Sequence, residues 1–155
     1  MPSSLLDALE GVINPREIVP GLATAGQPSP EHLARLKGAG CSVVIDLRDP
    51  MEPQPIDARA VQAAGLRYLN IPTTHAPADD QTFDRMRESL RESLGAGASV
   101  LVYCNSGNRV GSTVLPYLML ERGFAEDAAV TAALKIGTRQ MELVEAALAY
   151  VRHRR

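Results

Sequence analysis

The chain contains no tryptophan, four tyrosines and two phenylalanines, too few aromatic side chains for a platform that stacks single-stranded bases. Its two cysteines, Cys41 and Cys104, cannot staple a disulfide framework, and with only His32, His75 and His153 beside them they furnish no zinc cluster. An excess of charge is missing too: 16 basic against 18 acidic residues leave a formal net charge of -2, without the basic footprint of a nucleic-acid binder. No window approaches the roughly 18 apolar residues of a membrane span. The segment from Met1 to Glu10 lacks the basic start and unbroken apolar stretch of a signal peptide. A cytoplasmic protein is therefore expected, with no nucleic-acid or membrane partner, no metal and no cofactor. The one basic run, from Arg152 to Arg155, reads as a solvated helix end rather than a phosphate-backbone clamp.

What remains is 155 residues, 45% of them hydrophobic, which suits one domain over 1-155 with a real core. A short apolar helix is expected in the first ten residues, broken by Gly11 and Pro15, followed by a loop or irregular strand from Ile18 to Ala23. Ser29, Pro30 and the pair Leu33 and Leu36 mark a helix start, and Gly38 and Gly40 its end. The β-branched run from Ser42 to Leu47 predicts a strand covered on both faces. A helix over Ile56 to Ala64 and a strand over Leu66 to Ile71 follow.

Phe83, Met86, Leu90 and Leu94 recur at spacings of three and four and predict an amphipathic helix that covers the sheet. Ser99 to Tyr103 is the strongest buried-strand candidate. Helices are expected over 110–119, where Pro116 would introduce a bend, and over 125–135 and 140–151. The order predicts an α/β fold: a central, mostly parallel sheet flanked by helices.

Chemistry concentrates where the strand ending at Tyr103 runs into Cys104, Asn105, Ser106, Gly107, Asn108 and Arg109. Gly107 permits a tight turn, the following helix aims its amides at a cavity, and Arg109 can close that cavity with a bidentate grip on an oxyanion. The positive end of a helix and a nearby arginine both favour a thiolate, so Cys104 is placed as a nucleophile. Cys41, which precedes a strand and has no such turn beside it, reads as a buried packing residue.

At these residues the sequence resembles the cysteine-dependent phosphatase superfamily, in particular a bacterial dual-specificity or tyrosine phosphatase-like group also found fused to beta-lactamase-hydrolase-like proteins. The resemblance is carried by Gly21 to Glu31 (GLATAGQPSPE), Val43 to Arg48 (VVIDLR) and Leu101 to Gly111 (LVYCNSGNRVG), and extends over roughly residues 18 to 148. It implies that Cys104 attacks phosphorus to form a cysteinyl phosphate that water then hydrolyses. Asn105, Ser106, Gly107, Asn108 and Arg109 would bind the nonbridging oxygens, and Gly111 would pass close beneath them. The implied substrate is a phosphorylated protein or small molecule.

Three features depart from the wider superfamily. Cys104 and Arg109 are separated by four residues instead of five, Tyr103 replaces the usual preceding histidine, and Val110 replaces a serine or threonine, for which Ser112 is a substitute. The resemblance puts the general acid on the segment before the amphipathic helix, where Asp80, Asp79 and His75 are the candidates and where helix capping competes for both aspartates. Asp46 and Arg48 follow a strand towards the pocket rim and Gln27 is expected at the same edge, with strand-end hydrogen bonding and a loop turn as their competing structural readings. The Cys-x4-Arg loop is also compatible with rhodanese-like sulfur transfer through a persulfide on Cys104, and with a noncatalytic anion or partner-binding role.

Overall fold

The computed structural model describes residues 4–154. Helix α1 (Leu5–Ala8) is capped by Ser4, whose hydroxyl accepts the Asp7 amide at 3.1 Å. The following segment, expected as a loop or irregular strand from Ile18 to Ala23, is two strands: β1 (Arg16–Val19) and β2 (Leu22–Ala25) form an antiparallel hairpin in which Val19 pairs with Leu22. Its turn is Pro20-Gly21, with Gly21 at φ +87°, and the Glu17 carboxylate accepts the Gly21 amide at 3.1 Å. A fixed proline followed by a glycine at positive φ makes this reversal without strain.

Helix α2 (Pro30–Gly38) and strand β3 (Cys41–Asp46) follow as expected. Helix α3 (Ala58–Ala63) starts two residues later than its apolar pattern suggests, because Asp57 accepts the Arg59 amide at 2.9 Å and caps it there. Strand β4 (Arg67–Asn70) precedes α4 (Asp80–Gly95), which buries Phe83, Met86 and Leu90. Strand β5 (Ser99–Tyr103) leads into α5 (Asn108–Leu120), which continues through Pro116. Helix α5 begins at Asn108, so Arg109 belongs to its first turn and the loop proper is 104–107. Helices α6 (Glu126–Ile136) and α7 (Met141–Arg152) complete the chain order.

The sheet order is β1-β2-β5-β3-β4, parallel except for the β1/β2 hairpin. This is the mixed α/β sheet flanked by helices that the element order predicts. Side chains of β5 alternate between two apolar clusters. Val100, Val102 and Cys104 join residues of α4 to α7, whereas Leu101 and Tyr103 join Leu5, Leu33, Leu36 and Val61 on the opposite face.

Register fixes where chemistry can occur. Ala25 and Asp46 both pair with Tyr103, and Asp46 also pairs with Asn70. The segments after all four parallel strands therefore emerge at one edge, the edge at which open α/β sheets hold their ligands. Among the described residues, no helix is long and apolar enough to cross a membrane.

The basic C-terminus is occupied with the protein's own surface. Arg152 pairs with Glu126 at 3.2 Å, and Arg154 approaches Asp80 and Asp84 while its guanidinium stacks 3.7 Å from the Tyr150 ring centre. Arg155 lies outside the described residues.

Candidate active site

Cys104 is 1% exposed at the end of β5, and its amide donates to the Ala25 carbonyl at 3.4 Å. The chain then turns back so that the Gly107 amide donates to Cys104 Sγ at 3.1 Å. Gly107 sits at φ +95°, and a Cβ added there would lie 2.5 Å from the Ile136 carbonyl oxygen. Conformation and space thus both require glycine. Beneath the loop, a Cβ on Gly111 would collide with Thr138 Oγ1 and the Ala133 carbonyl. The sequence expectation that Gly111 allows close passage has this physical basis.

Arg109 is among the most deeply buried large side chains, at 1% exposure. Its fork is held by Glu52: Nη1 to Oε2 is 2.7 Å and Nη2 to Oε1 is 3.0 Å, while Nη1 also donates to the Thr73 carbonyl at 2.9 Å. Nε is buried without a hydrogen-bond partner. Burial by itself would push the guanidinium pKa down, but the hydrogen bonds it donates to Glu52 and the proximity of Cys104 and the Glu52 carboxylate hold it above its ordinary value. The same hydrogen bond to Arg109 is the largest cause holding the Glu52 carboxyl at about 2. Glu52 is consequently an anion at neutral pH and has no proton to give.

Glu52 was not among the residues singled out from the sequence. It lies 57 positions from Arg109, between prolines at 50, 53 and 55 that erase any periodic signal. Arg48 fixes the loop that carries it: this buried guanidinium donates to the Gln54 carbonyl at 3.0 Å, contacts the Pro53 carbonyl and Gln27 Oε1, and lies 3.5 Å from Glu52. Gln27 in turn donates to the Gln54 carbonyl at 2.7 Å. Asp46 accepts the Arg48 amide at 2.8 Å and the Tyr68 hydroxyl at 2.7 Å. Of the three rim candidates, Gln27 and Arg48 therefore converge on the Glu52 loop, while Asp46 holds the Arg48 backbone.

The remaining loop residues are supported from outside. Asn105 donates to Glu52 at 3.2 Å, and Asn14, at φ +51°, donates to the Ser106 carbonyl at 2.8 Å. Gly26 admits the loop closely, since a Cβ there would sit 2.5 Å from the Asn105 carbonyl oxygen. The α6–α7 connection binds Asn108: its carbonyl accepts Thr138 Oγ1 at 2.6 Å, its Oδ1 accepts the Arg139 amide at 2.9 Å, and its Nδ2 donates to Gln140 at 3.0 Å.

Tyr103, pointing to the opposite face from Cys104, is fully buried, and burial pushes its hydroxyl pKa well up. Ser112 Oγ donates to the Arg109 carbonyl at 3.3 Å, one turn back along α5.

The acid candidates separate. Asp79 caps α4 by accepting the Thr82 amide at 2.8 Å, which holds its carboxyl below the ordinary value. Asp80 is on the first helical turn, 70% exposed and 3.6 Å from Arg154. Among the described residues, neither aspartate has a hydrogen bond or ion pair to residues 104–109. The amides and cations at this end of α4 attract both side chains instead. His75 does reach the loop region: it lines a cavity of about 350 Å³ with Ser106, Asn108, Arg139 and Gln140. Larger clefts, about 490 Å³ between β1 and α6 and about 500 Å³ between α2 and α3, contain no thiol. Among the described residues, no group of three or more His, Cys, Asp or Glu side chains converges to hold a metal.

A buried thiol at a strand end, an amide turned onto its sulfur and a buried arginine beside it occur here on a fold shared with cysteine phosphatases. A putative phosphatase from Shewanella putrefaciens CN-32 superposes with a TM-score of 0.82 at 20% identity, covering 96% of this chain and 97% of its own. Tk-PTP in its active form gives 0.77 at 18% identity over 90% and 97%, and TpbA of P. aeruginosa 0.67 at 24% over 91% and 84%. No curated protein matches the chain. Residues 14–116 match the family described as beta-lactamase hydrolase-like protein, phosphatase-like domain, and the chain belongs to that family. The matched stretch begins before β1 and ends within α5, short of the residue 148 expected from the sequence.

Proposed function

We propose that the protein is a cysteine-dependent phosphatase that hydrolyses phosphomonoesters through a cysteinyl-phosphate intermediate, its chemistry carried by one domain. The observation that carries this reading is the Gly107 amide on Cys104 Sγ at 3.1 Å beside an Arg109 whose buried Nε has no partner. Glu52 occupies the two terminal nitrogens of Arg109 and leaves Nε for an incoming oxyanion. A guanidinium held by its far edge loses little freedom when phosphate arrives, and so stabilises the transition state without reorganisation.

In the first step the Cys104 thiolate attacks phosphorus, an S–P bond forms and the ester O–P bond breaks. The leaving oxygen takes a proton from a general acid. In the second step water attacks phosphorus, the S–P bond breaks, and inorganic phosphate leaves as the thiolate is restored. Amides of Asn105, Ser106, Gly107 and Asn108, with Arg109, carry the charge on the three nonbridging oxygens. His75 is the proton donor we favour over Asp80 and Asp79, because it shares a cavity with Ser106 and Asn108.

Intact-mass measurement of the protein quenched during turnover tests the intermediate: a phosphate adduct on Cys104 is expected, and a persulfide formed from thiosulfate without phosphate release would transfer the reading to sulfur transfer. For the acid, His75→Gln is expected to slow an alkyl phosphate at least about tenfold more than para-nitrophenyl phosphate, whose leaving group needs no proton. Asp80→Asn producing that split instead would return the role to Asp80.

A further inference from the structure

We propose that the cavity beside the Cys104 loop is a second anion subsite, and that the protein acts on small phosphomonoesters that carry a second phosphate. This deepens the phosphatase reading and rests on it. Ser106 and Asn108 are at once members of the loop and walls of the cavity. A molecule whose phosphate sits in the loop therefore extends its leaving group into this space.

The cavity is lined by one permanent cation, Arg139, and by no carboxylate. The other arginines at this edge are engaged: Arg109 by Glu52 and the Thr73 carbonyl, Arg48 by the Pro53 and Gln54 carbonyls and Glu52. Among the described residues the Arg139 guanidinium has neither a hydrogen bond nor an ion pair. Its backbone is nevertheless fixed to the loop. The Arg139 amide donates to Asn108 Oδ1 at 2.9 Å, while Thr138 Oγ1 donates to the Asn108 carbonyl at 2.6 Å and accepts the Ser112 amide at 3.0 Å. A cation whose Cα is registered to the cradle, with its head uncommitted, is arranged to measure the distance between two anionic groups of one ligand. A guanidinium suits phosphate, whose oxygens it can meet as a fork. At about 350 Å³ the space lies near the lower end of ligand cavities, which run from roughly 300 to 1,000 Å³, and fits a short carbon skeleton better than a peptide.

The test uses Cys104→Ser protein, so that binding is read without turnover, and titrates bisphosphates of three- to six-carbon polyols and sugars against the monophosphates of the same skeletons. At least one bisphosphate is expected to bind about tenfold more tightly than its monophosphate, as one charge-assisted contact at an exposed site provides. Arg139→Ala in the same background should collapse that ratio towards one, and Arg139→Lys should restore part of it. No preference for any bisphosphate, or a preference that survives Arg139→Ala, overturns the subsite. Equal Arg139-dependent preference for a doubly phosphorylated peptide overturns the small-molecule assignment. Hydrolysis of para-nitrophenyl phosphate by the unmutated chain is scored separately: its absence with the preference intact removes the phosphatase reading and leaves the subsite, whereas its presence without any preference removes the subsite alone.

Discussion

Cys41 and Cys104 are equally hidden, each 1% exposed, and they occupy opposite ends of the same sheet. Cys41 opens β3, donates its thiol to the Val43 carbonyl at 3.4 Å, and is pushed up to about 11 by burial. Cys104 follows β5, receives an amide on sulfur and has Arg109 beside it. Burial is common to both and so cannot be what separates packing from chemistry. The difference lies in the chain that follows: β3 continues from Cys41 as extended strand through a local register shift before Val43, whereas a left-handed glycine after Cys104 turns an amide back onto the sulfur.

The sharpest way to break this contrast is to exchange each sulfur for oxygen. Cys104→Ser should reduce phosphate release by about 10⁴-fold or more, the scale on which a covalent nucleophile is missed. Cys41→Ser should leave kcat within about twofold, and comparable losses in both would refute the division of roles. Next in size, Arg109→Lys keeps a positive charge but loses the fork, and a steady-state assay should find turnover lower by about 10²–10³-fold.

Glu52→Gln should cost about tenfold in kcat, since the amide can still contact Arg109 but no longer neutralises it. The same variant carries a pH signature. The Glu52 pKa is lowered in the folded state, to about 2 from an ordinary 4.5, so its stabilisation is fully present above about pH 4.5 and is lost as pH falls towards 2. Denaturation midpoints measured from pH 6 to 2 should therefore fall less steeply in Glu52→Gln than in the unmutated chain; parallel curves would show that the pair does not stabilise the fold. Smallest of all, Cys41→Ala should lower stability by about 1 kcal/mol, the scale of a single small group removed from a core, as read from denaturant midpoints.

Much of the scaffold could be read in the sequence because its signals are local. The β-branched run of β3, the valines of β5 and the three-and-four spacing of α4 each announce their element, and the Cys104 to Arg109 segment combines glycine, thiol and cation within one turn of chain. The segment that forms the hairpin was legible only as a loop or one irregular strand, because its two strands are four residues each, too short for alternation to register beside Pro20 and Gly21. Glu52 and Asn14 escaped for a different reason. Their roles are contacts across 57 and 92 residues, and no local pattern encodes such a distance. Asp80 drew attention by occupying the right interval, but a carboxylate at a helix start has nearby amides and, here, Arg154 to satisfy it.

The separation of the two thiols also bears on how the protein withstands oxidants. Cys41 lies opposite Ser99 on β5, and Cys104 is five residues further along that chain than Ser99, roughly 17 Å at the rise of a strand. A disulfide tolerates at most about 7 Å between Cα atoms. A sulfenic acid formed on Cys104 thus has no resolving partner within its own fold, and its return to the thiol depends on a thiol delivered by another molecule.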